Sequence, residues 1–543
     1  MSPEDATQTY DVAIVGYGPV GQVLTNLLGD AGHRVLTVER WPELYPRPRA
    51  AHFDHEIHRV LDQLGVVDKL GDDVVAMRSY DWRGADGELI LRIKADGVGA
   101  SGFPIGHLFY QPTLEAALHE RAEALPNVEL MRGWEVRQLQ ADGAGGATLT
   151  AERMKVVGPA LLDGTGDTRT VTARYVVGAD GANSMVRRAA GIDMTDLGFA
   201  ENWLVCDVAF PNHDLADRLF SELGDSTQWC DPSRPHMSAR VGRYHRRWEF
   251  MLLPGENPAD FVSRDSVWAR LSPWLTPEMA ELERYVVYQF SSKVADRMRS
   301  GSTLLVGDAA HVMPPFIGQG LCSGIRDAAN LTWKLDLVLK GKSPNSLLDT
   351  VGEERREQIK QTIGVSLRMG RVSCTLDPAA ARDRDQAFRQ GRIPPPEDLP
   401  GLTGGIRYRP GGRDVDLLAG SLGVQGLVKA ANGSGLADAV VGYGFCLIVA
   451  SGDPRSYPDI TDPGSPLQQL GGHVMILDPM VPGAVMDIDG RLTSWIDNAG
   501  VAAVLVRPDF YVFGSVQELS ELPALLSDLQ AQLFAHLPAP TPA

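Results

Sequence analysis

The stretch "YDVAIVGYGPVGQVLTNLLGDAGHRVLTVER", residues 10–40, restricts this chain more than any other. "VAIV" is a short β-branched run of the kind that forms a strand buried in a parallel sheet. Gly16, Gly18 and Gly21 then make GxGxxG. Val20, Val23, Leu24, Leu27 and Leu28 follow at the i, i+3, i+4, i+7, i+8 spacing of one helix face. Gly32 ends that helix, and "RVLTVE" predicts a second strand finishing on Glu39. Strand, turn, helix, strand and acid, in that order, predict a dinucleotide cradle rather than a merely structural glycine turn. Gly16 permits the tight turn, Gly18 lets a pyrophosphate reach the backbone, and Gly21 lets helix and strand pack closely. The helix start attracts the anion, and Glu39 can accept hydrogen bonds from ribose hydroxyls. The motif alone does not separate NAD from FAD. No second fingerprint of this quality follows, and "ADGAGGAT" at 141–148 reads as a hairpin loop, so one tightly held dinucleotide is expected.

A chain of 543 residues predicts two or three domains. Its net charge of −18 argues against a nucleic-acid surface and against docking on anionic lipid. "MSPEDATQTY" has neither the basic nor the apolar region of a signal peptide. The apolar run "AVVGYGFCLIVASG" at 439–452 is too short and glycine-rich to span a bilayer. Cys206, Cys230, Cys322, Cys374 and Cys446 form no CxxC pair and no metal spacing; they read as small hydrophobes in a reducing cytoplasm.

Two later segments carry chemistry. "RYVVGADGANSMVRRAAGI", residues 174–192, is a strand ending on Asp180-Gly181 and a short helix, which alone could be an ordinary connection. "STLLVGDAAHVMPPFIGQGLCSGIRDAANLTWKLDLVLKG", residues 302–341, brings Asp308 to the carboxyl end of a strand, where α/β sheets bind ligands. Pro314 and Pro315 form a rigid turn without N–H groups. Gly318 and Gly320 then open a helix bearing Leu331, Leu335 and Val338, whose free amides favour negative charge.

With "GYGPVG", "YQPTLEAAL" at 110–118, "RPRAAHFDHEIHRVL" at 47–61 and "RRWEFMLLPGE" at 246–256, these segments resemble class A, single-component flavoprotein aromatic monooxygenases of the p-hydroxybenzoate hydroxylase fold. Within that family the chain is most similar to the 3-(3-hydroxyphenyl)propionate hydroxylase-like group. The resemblance implies an α/β fold: a Rossmann-type FAD-binding domain, a mixed-sheet substrate domain and a redox-inactive, thioredoxin-like C-terminal domain. The FAD-binding domain is expected over 1–78, 104–195 and 286–375, the substrate sheet over 79–103 and 196–285, a linker or extended wrap over 376–400, and the C-terminal domain over 401–543.

It also implies tightly bound FAD, held by Gly16, Gly18, Pro19, Val20, Gly21, Glu39 and Arg40 at the adenine end. Arg49 is expected on the flavin or nicotinamide side, Gln111 against the flavin, and Asp180 near both. Gly307 and Asp308 would hold the ribityl chain, Pro315 would wall the ring, and Gly318, Gly320 and Leu321 would face its pyrimidine edge. NADH or NADPH would be a transient reductant, with no separate reductase; the partners are a small aromatic substrate and O2, and a homodimer is left open. The implied reaction is hydroxylation of a phenolic ring through a C4a-hydroperoxyflavin. The alternatives are a same-fold reductase or oxidase that inserts no oxygen, or a non-catalytic dinucleotide-fold binding protein. No residue stands out as the base: Tyr288, His52, Arg49 and Pro314 are weak catalytic candidates, Tyr244 and His245 are further ones by composition, and Arg240 or Arg246 could meet a substrate carboxylate. Val351, Glu357, Gln358 and Met298 depart from the family pattern, which loosens the substrate assignment.

Overall fold

A computed structural model of the chain describes residues 9–141, 145–158, 161–393, 398–412 and 416–534. The first strand, Thr9–Val15, is buried on both faces and lies between two parallel neighbours, as a βαβ cradle requires. Five parallel strands run in the order Thr303–Leu305, Leu161–Gly178, Thr9–Val15, Val35–Glu39, Val128–Arg132. Helix Pro19–Asp30 crosses from Thr9–Val15 to Val35–Glu39, and its Val23, Leu24 and Leu28 are fully buried. Its end at Asp30 is followed by Gly32 at φ +86°, the left-handed residue that turns the chain into Val35–Glu39. Strands Trp134–Ala141 and Ala147–Gly158 pair antiparallel with Ala141 opposite Ala147; residues 142–144 of that expected hairpin loop lie outside the described residues.

A second eight-stranded sheet, mostly antiparallel, stands against the first. Its longest strands, Met194–Ala209 and Glu281–Ala295, pair along most of their length and run on from the cradle region into this sheet. The boundaries expected at 195 and 285 therefore fall inside continuous strands. Side chains alternate across it. Leu204, Cys206, Val208, Trp248 and Phe250 face helices His213–Leu223 and Arg264–Leu271 in one core. Trp203 and Met251, of opposite parity, pack against Phe316 in another.

The C-terminal strands are ordered His473–Ile476, Cys446–Val449, Ala503–Val506, Val512–Val516, with the first pair parallel and the rest antiparallel. With helices Arg491–Ala499 and Leu522–Phe534 this is a thioredoxin-like core. A fully buried ionic cluster seats it: Glu354 of helix Asp349–Ser373 lies 2.7 Å from Lys334 Nζ and 2.8 Å from Arg507 Nη2, and Asp509 closes the group. The stretch 376–400 corrects one expectation. Expected as a linker or extended wrap, it is not extended throughout but contains helix Pro378–Arg389, capped by Asp377 and anchored by Arg384 to the Cys230 carbonyl at 2.6 Å; residues 394–397 of it lie outside the described residues. All five cysteines are free thiols. Among the described residues, no helix is long and apolar enough to cross a membrane.

Candidate active site

The glycine turn after Thr9–Val15 packs so tightly that side chains are excluded. Gly16 has φ +102°, and an added Cβ would sit 2.4 Å from the Ala179 carbonyl oxygen; at Gly21 it would sit 2.2 Å from the Gly16 oxygen. Gly18 is different, since its backbone faces Arg49, whose Nη2 would lie 3.6 Å from an added Cβ. Gly18 offers no side-chain cap to helix Pro19–Asp30, so the first amides point unpartnered by a side chain into a cavity of about 470 Å³ that Gly18, Pro19, Val20 and Arg49 line. Arg49 is half-exposed, 3.5 Å from Glu115 and stacked over Tyr45. Glu39 accepts from Tyr17 N and Trp41 N, each at 2.9 Å, which fixes the carboxylate at the strand end with lone pairs remaining. Arg40 is exposed, 4.0 Å from Glu135, and does not line the cavity.

The second wall comes from 306–321. Gly307, at φ +60°, donates its N–H to Asp327 Oδ2 at 2.9 Å; Asp327 is fully buried and also takes His311 Nε2 at 2.6 Å and Arg355 Nε at 2.8 Å. Asp327 thereby pins the turn that presents Asp308. The Asp308 carboxylate faces the cavity with no hydrogen-bond partner among the described residues, and its enclosure by protein pushes its pKa up. Pro315 lines the cavity; Pro314 does not, and its carbonyl receives Ser366 Oγ at 2.8 Å. Gly318 is left-handed at φ +65°, and a Cβ there would sit 2.9 Å from His52 Nδ1. His52 lines the cavity, kept neutral by burial, with Nδ1 3.3 Å from the Gly318 oxygen. Helix Gly320–Leu339 also starts without a side-chain cap, because Gln319 is bound to Asp54 and Arg326. Gly320 and Leu321 present that start to the cavity.

Two expected flavin contacts serve the protein first. Gln111 lines the cavity, but its Oε1 accepts from Arg49 N and Ala50 N, and its Nε2 donates to Glu115, so it holds the 49–50 segment in place. Asp180 Oδ2 caps Met185 N and Val186 N at 2.7 and 3.1 Å; Oδ1 is buried without a partner among the described residues, and Ala179 and Gly181 form the cavity wall beside it. Of the weak catalytic candidates, His52 and Arg49 line the cavity, whereas Tyr288 and Pro314 do not. Tyr288 is half-exposed, bound to Arg284 and outside the cavity. Tyr244 stacks on His213, and His245 on Tyr110. Arg240 lies 3.8 Å from Asp225, while Arg246 is buried and tied to Ser238 Oγ and the Gly224 carbonyl, and neither lines the cavity.

The far end of the cavity, built by the second sheet, was not predicted residue by residue. Tyr80, Ser226, Met237, Ala239, Phe290 and Phe316 line it, with Arg247 and Glu249. Phe316 meets Trp203 edge-on at 5.9 Å, in a space that only Gly370 leaves open: a Cβ there would be 2.3 Å from the ring. Arg247 is bound bidentately to Asp207 at 2.7 and 3.0 Å and reaches the Arg49 carbonyl at 2.6 Å. The only sequence signal for Glu249 was its charge among the apolar residues of "WEFMLL".

These residues fit FAD: glycines that admit nothing but backbone, two helix starts without side-chain caps, an acid at the ribose position and an unpartnered acid where a polyol chain would lie. Comparison with known proteins agrees. Residues 9–366 match the family described as "FAD binding domain", and 420–532 match "HcaD C-terminal domain". A "Probable NADH-specific resorcinol 4-hydroxylase" of Rhodococcus jostii (strain RHA1) is 39% identical, over 99% of this chain and 98% of its own length. A "3-(3-hydroxy-phenyl)propionate/3-hydroxycinnamic acid hydroxylase" of Mycobacterium sp. (strain JLS) is 32% identical over 94% and 90%. Among solved structures, the flavin-dependent monooxygenase PieE in complex with FAD and substrate superposes with a TM-score of 0.79 at 21% identity, covering 97% of this chain and 99% of that one. Aklavinone-11 hydroxylase with FAD and aklavinone gives 0.76 at 23%, covering 99% and 100%. Cradle, mixed sheet and C-terminal domain thus coincide along the whole chain, which belongs to the FAD-binding family of flavoprotein aromatic monooxygenases.

Proposed function

We propose that this protein hydroxylates a small, uncharged phenol of the resorcinol class, with FAD bound and NADH as reductant. The observation that carries the substrate class is the charge at the far end of the cavity. Its one guanidinium there, Arg247, is engaged by Asp207 and by backbone carbonyls, and the group beside it is the carboxyl of Glu249. A substrate carboxylate placed about 5 Å from Glu249 would be repelled by roughly 3 kcal/mol at an effective dielectric of about 20. An uncharged phenol avoids that and gains from the apolar walls of Met237, Ala239, Phe290 and Phe316. The 39%-identical relative bears a resorcinol 4-hydroxylase name with NADH specificity, which supports both choices.

In this reading Glu39 holds the ribose, and the two open helix starts with Arg49 hold the pyrophosphate and the pyrimidine edge of the flavin. Asp308 binds the ribityl chain and Pro315 shapes the wall. Bound FAD supplies hydride acceptance and oxygen activation. The chain orients the phenol over the ring, keeps water out with the Trp203–Phe290–Phe316 cluster, and controls the phenolic proton. Cradle and substrate sheet lie in one polypeptide, so no separate reductase is needed. The free thiols suit the cytoplasm. A homodimer would be read by light scattering.

The test is steady-state NADH oxidation and O2 uptake by the yellow holoenzyme with a panel of phenols, with mass analysis of product formed under labelled oxygen. Resorcinol should stimulate uptake and gain one labelled oxygen. A higher kcat/KM for 3-(3-hydroxyphenyl)propionate than for resorcinol refutes the charge argument, and uptake without a hydroxylated product refutes the hydroxylase.

A further inference from the structure

We propose that Glu249 is a catalytic residue, the base that takes the proton of the substrate's phenolic hydroxyl. This rests on the phenol-hydroxylase reading above. Glu249 sits in the middle of strand His245–Met251, where alternation turns it with Arg247 toward the cavity and turns Trp248 and Phe250 into the opposite core. It is 7% exposed, and neither oxygen has a hydrogen-bond partner among the described residues. The nearest cation, Arg247 Nη1, is 3.9 Å away and already donates to the Arg49 carbonyl at 2.6 Å. A buried carboxyl that faces a ligand cavity with no hydrogen bond, and with its Arg247 contact stretched to 3.9 Å, opposes folding, and its chemistry is left free for what enters.

Every neighbouring element contributes to its titration. Burial is the largest effect and raises the pKa; Arg247 on its own strand lowers it, Asp207 on the adjacent strand raises it, and Arg284 on the next lowers it, leaving a value of about 6. Tyr80, on strand Ser79–Arg83, and the Cys206 thiol also feel Glu249; burial pushes both pKa values up, so both stay protonated. His52, at the flavin end of the same cavity, is neutral. At pH 7 Glu249 is therefore an ionised acid facing the substrate end, with a basicity suited to a proton acceptor.

The step balances simply. The phenolic O–H bond breaks, an O–H bond forms on the Glu249 carboxylate, and the electron pair stays on the phenolic oxygen, where delocalisation makes the ortho and para carbons nucleophilic. After the ring has taken up oxygen, the hydroxylated carbon loses its hydrogen to solvent as the ring recovers aromaticity. Glu249 then returns its proton to the original oxygen. O2 and NADH, already required by the hydroxylase activity, are the oxidant and reductant.

The experiment uses FAD-saturated wild-type, Glu249→Gln and Glu249→Asp enzymes. With resorcinol, wild-type kcat/KM should fall tenfold per pH unit below about 6 and be flat above. Glu249→Gln should be roughly 100-fold slower at pH 7.5 and lose that limb, with partial recovery in Glu249→Asp. On 4-nitrophenol at pH 8.5, already ionised, the kcat of Glu249→Gln should stay within about threefold of wild type, because no proton remains to be taken. Its Kd for that anion, read from the perturbed flavin spectrum without NADH, should tighten by about tenfold or more as the opposing charge is removed. A Gln variant that keeps the acidic limb overturns the assignment. So does one that loses as much activity on ionised nitrophenol as on resorcinol, since that is a structural role. Wild-type enzyme that hydroxylates no phenol overturns the underlying reading as well, and is recognised because the wild type itself fails.

Discussion

A base kept buried without a hydrogen-bond partner should weaken the fold that carries it, and Glu249→Gln measures by how much. The folded pKa of about 6 stands above the ordinary 4.5. An acid whose folded pKa is raised binds its proton more tightly in the folded chain, so the fold is favoured below pH 4.5 and loses stability as pH rises through 6. At 1.36 kcal/mol per pH unit, the difference of about 1.5 amounts to roughly 2 kcal/mol of destabilisation at pH 8. Glutamine has the same shape and no charge, so it should recover that amount at pH 8 and almost none at pH 4.5. For a chain of 543 residues about 2 kcal/mol corresponds to a rise of roughly 2 °C in Tm. The assay is thermal unfolding of both proteins at saturating FAD, at pH 4.5 and pH 8, with the difference between the two differences as the readout. The expected pattern is a more stable, less active variant at pH 8, the trade found where strain or charge serves catalysis. A Tm gain that is equal at both pH values, or a loss at pH 8, refutes the charge reasoning, because packing effects of the amide would not depend on pH.

Two further outcomes follow from the geometry. Gly21→Ala drives a methyl to 2.2 Å from the Gly16 oxygen, a backbone atom that cannot move without opening the turn, so the purified variant should lose most of its yellow colour; full flavin content in it would contradict the cradle. Glu354→Ala leaves Lys334 and Arg507 buried without their shared partner, which should cost about 3–5 kcal/mol and expose the seat of the C-terminal domain to protease. The wild type should show the same cleavage in acid: those two cations hold the Glu354 pKa below its ordinary value, so its contribution is present above pH 4.5 and is lost as pH falls below that. Unchanged cleavage in either case refutes the role of the cluster.

Much of the cofactor end was legible because local rules act within a few residues. GxGxxG forces one turn, a β-branched run forces one strand, and an acid at a strand end stays there whatever surrounds it. Gly18, Asp308, Gly318 and Leu321 all line the cavity. Gln111, Asp180 and Pro314 were less legible, since their roles depend on partners 61 residues away (Ala50 with Gln111), five residues on (Met185 with Asp180) and 52 residues on (Ser366 with Pro314). The helix at Pro378–Arg389 was hidden by its charge: only packing of Arg384 on the Cys230 carbonyl and of Arg389 on Asp86 gives that polar segment a face to bury.

By itself the sequence determined a dinucleotide cradle, its second wall and a net charge of −18, because each depends on short-range sterics or on summed charge. Only the tertiary structure decided what the far end of the cavity is. Arg247 and Glu249 are two residues apart on one strand, yet one is held bidentately by Asp207 from a neighbouring strand and the other has a 3.9 Å contact with Arg247 and no hydrogen bond among the described residues. Which of two buried charges finds a partner depends on cross-strand register and on the shape of the cavity between the sheets, and neither can be read from spacing along the chain.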